Sequence, residues 1–209
     1  MEKYKAPSFG HQQPETIMMN CPHCGHNGVF ESVGISDLWV PQVRKFFGQR
    51  RCPNTDCFGH VFVILNDKSR LETSYPSETI PFNKEKIPDR ILKAFEEAVS
   101  CFANKCFVAS AIMIRKTLEE ICENKGATGD NLKKRINDLG TKIIIPKELF
   151  DGLDDLRLLG NDAAHIEAKV YEEIGDLEIR ISIEFTVEIL KAVYQYESLL
   201  NKLRSLKKP

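Results

Sequence analysis

The pattern of apolar and polar positions changes period once, near residue 80. Before that point the apolar runs are short. Val, Ile, Phe and Thr favour a pleated surface, and Gly, Pro, Asn and Asp bound the runs. They predict strands at residues 15–20, 29–35, 61–66 and 70–74. Residues 75–88 carry Pro76, Pro81 and Pro88 and read as an extended linker.

Beyond the linker the period becomes helical. A first helix is predicted at 88–104, with Ile91, Phe95, Val99 and Phe102 on one face. A second spans 107–124, closed by Gly126, and a third spans 130–139, stopped at Gly140. A fourth runs over 146–165 and a long fifth over 174–206. On the fifth, Ile181, Phe185, Ile189, Val193, Tyr196, Leu200 and Leu203 recur at steps of three and four. Short connections between amphipathic helices predict an antiparallel bundle. The fold class expected is therefore α+β: a small β module with its linker in residues 1–82, then an all-α bundle in 83–209.

Composition narrows the function. The net charge is −1, and residues 1–82 carry 8 basic and 8 acidic side chains. Any contact with nucleic acid must then come from a local patch and not from bulk charge. No apolar run reaches the roughly 20 residues of a membrane span, and residues 1–14 lack a signal-peptide core. No membrane partner and a cytoplasmic location are expected. In a reducing compartment cysteine spacing is read as metal or core rather than disulfide.

Cys21-Pro-His-Cys24-Gly precedes Cys52-Pro-Asn-Thr-Asp-Cys57 by a 27-residue excursion. Two tight knuckles suit a tetrahedral ion bound by four thiolates at about 2.3 Å. Pro22 and Pro53 preset the turns, and Gly25 lets the chain bend under the metal. The pair of knuckles resembles a zinc ribbon. Cys21, Cys24, Cys52 and Cys57 are the expected ligands of a structural Zn2+, since four thiolates leave no open position for catalysis. Cys101, Cys106 and Cys122 fall on the apolar helical pattern and read as core.

Between the knuckles lies Arg44-Lys45-Phe46-Phe47-Gly48-Gln49-Arg50-Arg51. Arg44, Lys45, Arg50 and Arg51 around two rings suit phosphates and stacked bases, with Trp39 nearby. The plainer reading is a solvated hairpin whose rings fill the ribbon core.

On the fourth helix Arg157, Asn161 and His165 stand four apart, in one row beside the core stripe. Gly160 costs about 1 kcal/mol relative to alanine in a helix, so a close approach to the backbone is expected there. The string Arg157-Leu-Leu-Gly-Asn161-Asp-Ala-Ala-His165 carries a resemblance. With Ala111-Ile-Met-Ile-Arg115-Lys-Thr-Leu118-Glu119 and the connector from Gly126 to Leu139, it resembles a bacterial domain-of-unknown-function family numbered 4145. That family is similar to the HEPN superfamily of helical domains. The resemblance covers about residues 83–200, and the paired cysteines resemble the ribbon often found in front of this domain.

The resemblance implies a HEPN-like bundle directed at RNA or nucleotides, a homodimer, and a role in prokaryotic defence or stress response. In RNA-cutting relatives of that superfamily, cleavage needs no metal. On that scheme His165 is the general acid–base, Asn161 orients it, and Arg157 stabilises charge on phosphorus. Gly160 occupies the usual place of the arginine, and Arg157 lies roughly 12 Å from His165 along the helix. They would meet across a twofold axis, or Arg115 would stand in. The alternatives are a helix-terminal His165 bonded to a carbonyl or carboxylate, and a non-enzymatic adaptor that binds protein or nucleic acid.

Overall fold

A computed structural model describes residues 5–164 and 174–206, apart from the side chain of Glu197. The chain divides into two compact units, Met1–Pro81 and Phe82–Pro209. The first is an antiparallel sheet of seven strands and the second is helical, which makes the chain α+β.

The strands are β1 (Gly10–Gln12), β2 (Ile17–Asn20), β3 (Asn27–Ser32), β4 (Asp37–Val40), β5 (Lys45–Arg51), β6 (His60–Asn66) and β7 (Leu71–Tyr75). β5 is the spine. All of it pairs with β6 on one edge, while β4 and the end of β3 share the other. β7 follows β6, β1 pairs with β4, and β2 pairs with β3. In β6 the alternation is strict: Val61, Val63 and Leu65 are buried, and His60 and Phe62 are exposed. These three residues join Ile17, Met19, Phe30, Phe46, Cys21 and Cys52 in one core.

The basic–aromatic stretch forms the central strand; in keeping with the plainer hairpin reading it pairs with β4 and sends one ring, Phe46, into the core. Its inward positions are Phe46, Gly48 and Arg50, and Arg50 is 0% exposed. Two parallel bonds tie it to Asp37, Nη1 to Oδ1 at 2.8 Å and Nη2 to Oδ2 at 2.5 Å. Its Nε donates to the Glu15 carbonyl at 3.1 Å. Gly48 makes room for the pair, since a Cβ there would stand 2.0 Å from Asp37 Oδ1. A buried, fully bonded ion pair replaces the apolar residue that an alternating pattern leads one to expect.

In the second unit, α1 (Asp89–Ala103) buries Ile91, Phe95, Val99 and Phe102, the predicted face. α2 (Phe107–Asn124) packs against α1, α5 (Asp176–Leu190), α4 (Lys147–Ala164) and the short α3 (Leu132–Leu139). Gly126 ends α2 in the left-handed region at φ +66°. Its N–H reaches Glu123 O at 3.0 Å, and that of Ala127 reaches Cys122 O at 2.8 Å. Those two bonds satisfy carbonyls that the helix end would otherwise leave open. Asn131 caps α3 by accepting the Lys134 N–H at 3.0 Å.

The long last helix departs from expectation. A π-helical turn, Lys191–Gln195, separates α5 from α6 (Tyr196–Ser205) and shifts the helical register. Gln195 then donates to Asn83 O at 2.9 Å and Glu85 O at 3.0 Å. The buried face of α5 is Ile179, Ser182, Ile183, Thr186, Ile189 and Leu190, while Ile181 is exposed. Ser182 and Thr186 enter that face because each hydroxyl bonds a carbonyl one turn back, at 2.7 Å. Of the three cysteines expected in this core, Cys122 is buried, Cys101 is half-buried and Cys106 is exposed.

Candidate metal centre and the basic strand beside it

The first knuckle is closed by two backbone bonds, Gly25 N–H to Cys21 O and Cys21 N–H to His26 O, both 2.8 Å. Gly25 takes φ +74°, which glycine adopts without a Cβ clash. In the second, Cys57 N–H and Phe58 N–H both reach Asn54 O at 3.0 Å, and Asn54 Oδ1 accepts the Asp56 N–H at 3.0 Å. Each knuckle thereby turns its two sulfurs to the same side.

All four Sγ atoms lie within 4.8 Å of one another. Cys21 and Cys57 are 3.8 Å apart, as are Cys24 and Cys52. A tetrahedron with metal–sulfur bonds of about 2.3 Å has edges of about 3.8 Å. A disulfide would need about 2.05 Å. The donor set and its spacing therefore fit a four-thiolate metal site. Backbone and side-chain N–H groups support the sulfurs: Gly59 N to Cys57 Sγ at 3.4 Å and Asn54 Nδ2 to Cys24 Sγ at 3.7 Å.

Cys21 and Cys52 are buried at the end of the sheet core, and Cys24 is exposed. The His26 backbone N–H lowers the Cys24 thiol to about 7. Burial pushes Cys52 up to about 12. A divalent cation among the sulfurs would override such differences, because coordination deprotonates a thiol outright.

The histidines near the knuckles lie outside the cluster of four sulfurs. His23 Nε2 donates to His60 O at 2.9 Å, tying one knuckle to the start of β6. Gly59 leaves room for this, since a Cβ there would fall 2.3 Å from His23 Cδ2. His60 Nδ1 accepts from Gln49 Nε2 at 2.8 Å.

The four basic residues of the inter-knuckle segment have separate fates. Arg50 is buried against Asp37 and cannot reach a phosphate, which corrects its expected role in nucleic-acid contact. Arg44 projects into solvent, paired with Asp67. Lys45 pairs with Glu72 at 2.7 Å. Arg51 points outward, its guanidinium 5.4 Å from the centre of the Phe58 ring. Trp39 is half-buried and packs on the buried Phe46, with ring centroids 4.4 Å apart, so neither ring is free to stack a base.

On α4, Arg157 donates from Nε to Asp154 Oδ1 at 2.6 Å and is only 16% exposed. Arg115 pairs with Glu119 at 3.4 Å and donates from Nη1 to Arg157 O at 3.4 Å. The structure thus brings Arg115 to the helical turn that carries Arg157. Gly160 is where α4 meets α2: a Cβ would sit 2.5 Å from Arg115 Cβ and 3.1 Å from Ala111 O. Asn161 is half-buried. His165, the expected acid–base, lies outside the described residues.

Sequence reasoning passed over Phe62, Tyr75 and Phe58, which are 59%, 74% and 48% exposed. The alternation of β6 held the signal for the first of them, for Phe62 is in phase with His60 and not with the core valines.

A family model described as "Domain of unknown function (DUF4145)" matches residues 96–208. No curated protein and no solved structure matches the chain.

Proposed function

The chain belongs to the DUF4145 family, whose description assigns no activity, and from its site we propose that it is an RNA-binding protein whose β unit is stapled by a structural zinc ion. Cys21, Cys24, Cys52 and Cys57 would hold the metal, which supplies folding energy and no reaction chemistry. The observation that carries the RNA reading is the phase of β5. Its outward positions are Lys45, Phe47, Gln49 and Arg51, two cations, a ring and an amide. Such a mixture holds phosphates by charge and bases by contact.

Binding is placed ahead of cleavage. Arg157 is held by Asp154, and Arg115 is engaged with Glu119 and the Arg157 carbonyl. Charge on phosphorus would have to compete with those partners. The HEPN-like reading of the helical unit and a homodimer belong to the same proposal. Tyr196, Leu199, Leu203 and Leu206 are exposed at steps of three and four on the last helix and its end.

The test is fluorescence anisotropy of a labelled RNA against the zinc-loaded protein, with free divalent cations removed. Saturable, salt-dependent binding with the RNA left intact is expected. No binding would overturn the proposal. Cutting that disappears in His165→Ala would replace it with the nuclease reading.

A further inference from the structure

The pairing of β5, β6 and β7 sorts their outward side chains into rows. Residues directly opposite on antiparallel strands project from the same face, with Cα atoms about 4.5–5.5 Å apart. One row is Gln49, Phe62 and Tyr75; the next is Phe47, Ile64 and Thr73. Lys45 with Asn66 lies beyond one end, and Arg51 with His60 beyond the other.

Single apolar groups on a surface need no explanation, whereas contiguous ones mark a contact. Here Phe62 and Tyr75 are neighbours across the strands, 59% and 74% exposed. Phe58, 48% exposed, stands under the Arg51 guanidinium. The two central rows carry no charge. The outward positions of β5 and β6 contribute two cations and no carboxylate. Each cation has a carboxylate beside it: Glu72 pairs with Lys45 at 2.7 Å, and Glu31 stands opposite Arg51 in its own row.

We infer that this face is a stacking platform for the unpaired bases of single-stranded RNA, with Phe62 and Tyr75 each receiving a base and Arg51 a backbone phosphate. The inference rests on the RNA-binding reading and specifies where and in what form RNA is held. An aromatic face gains from any base ring, so binding should be tolerant of sequence. Gln49 is a polar group within the aromatic row, but its amide is already donated to His60. A duplex hides its base faces and would offer the platform only phosphates.

The experiment compares a labelled single-stranded eight-nucleotide RNA with the same sequence in duplex form. It uses the zinc-loaded full chain and the variants Phe62→Ala, Tyr75→Ala and Phe62→Tyr. Wild type should bind the single strand at least about tenfold tighter than the duplex. Each alanine variant should lose about tenfold on the single strand, and Phe62→Tyr should keep most of the affinity. A 2-aminopurine in the strand should be quenched on binding and recover in Tyr75→Ala. Both rings are exposed, so far-UV circular dichroism and zinc content should not change.

Alanine variants that bind like wild type, or equal affinity for duplex, would overturn the platform and leave RNA binding standing. A wild type that binds no RNA would overturn both readings together.

Discussion

The two units bury very different material. Among the described residues, the β unit buries ten apolar side chains, two of them metal-site cysteines, and the helical unit buries twenty-three. The helices close mainly on Ile, Leu, Phe, Val and Ala along faces that repeat at helical spacing, and their buried hydroxyls, Ser110, Thr117, Ser182 and Thr186, bond nearby carbonyls. The sheet closes on a smaller core, four sulfurs at its end and the Arg50–Asp37 pair. Dispersion and the hydrophobic effect carry most of the first. The second depends on directional groups, each costly once its partner is lost. One chain thus holds a region robust to chemistry and a region that chemistry can dismantle.

The largest expected effect comes from removing the proposed zinc ion. Binding to a four-thiolate site is worth on the order of 10 kcal/mol or more of folding free energy, beyond what a small core offers. Cys52→Ser, or a strong chelator with reductant, should unfold the β unit and leave the helices. Trp39 is the only tryptophan in the chain, so its emission should shift to the red while ellipticity at 222 nm is largely kept. Loss of both signals together would break the comparison.

Next is the buried pair. Asp37→Ala leaves Arg50 charged and unpaired and should destabilise the β unit by about 3–5 kcal/mol. Urea titration followed by Trp39 emission would measure it. Asp37→Leu with Arg50→Met should recover most of the loss, because two apolar groups leave no orphaned charge. No recovery would mean that the pair specifies the sheet's register and not only its energy.

Gly160→Ala tests the helical unit by packing alone. The new Cβ would meet Arg115 Cβ at 2.5 Å, so α4 and α2 must separate. Overpacking costs about 1–3 kcal/mol, offset by about 1 kcal/mol of helix propensity. Thermal melting at 222 nm should fall modestly, with Trp39 emission unchanged.

The smallest effect concerns Glu120. The Lys116 ammonium at 2.9 Å, with Arg90 beside it, holds its carboxyl below the usual glutamate range, against the opposing effect of burial. A lowered folded value means stabilisation that is present above the unfolded value and lost as pH falls through the folded one. Acid titration of the helical signal should be slightly shallower in Glu120→Gln than in wild type. An identical acid limb would show that the charge contributes nothing.

How much of this was legible differs by unit. The first four helices lie close to the predicted bounds, because a 3.6-residue period repeated over several turns is a strong signal. Four of the seven strands were anticipated by range, and β5 only as a hairpin with core-filling rings, not as a central strand with a buried arginine. Its inward phase reads Phe, Gly, Arg, and no local rule makes an arginine a core residue. The answer lay thirteen positions away in Asp37.

What the sequence determined alone was local. It set the change of period near residue 80, the approximate bounds of the first four helices, the buried face of α1, and two cysteine knuckles whose spacing allows one shared ion. Pairing across the sheet decided the rest. It buried Arg50, turned Arg51 outward, and set Phe62 beside Tyr75. The physical reason is that a strand's neighbours are remote in sequence, and shifting its register by one residue moves every side chain to the opposite face.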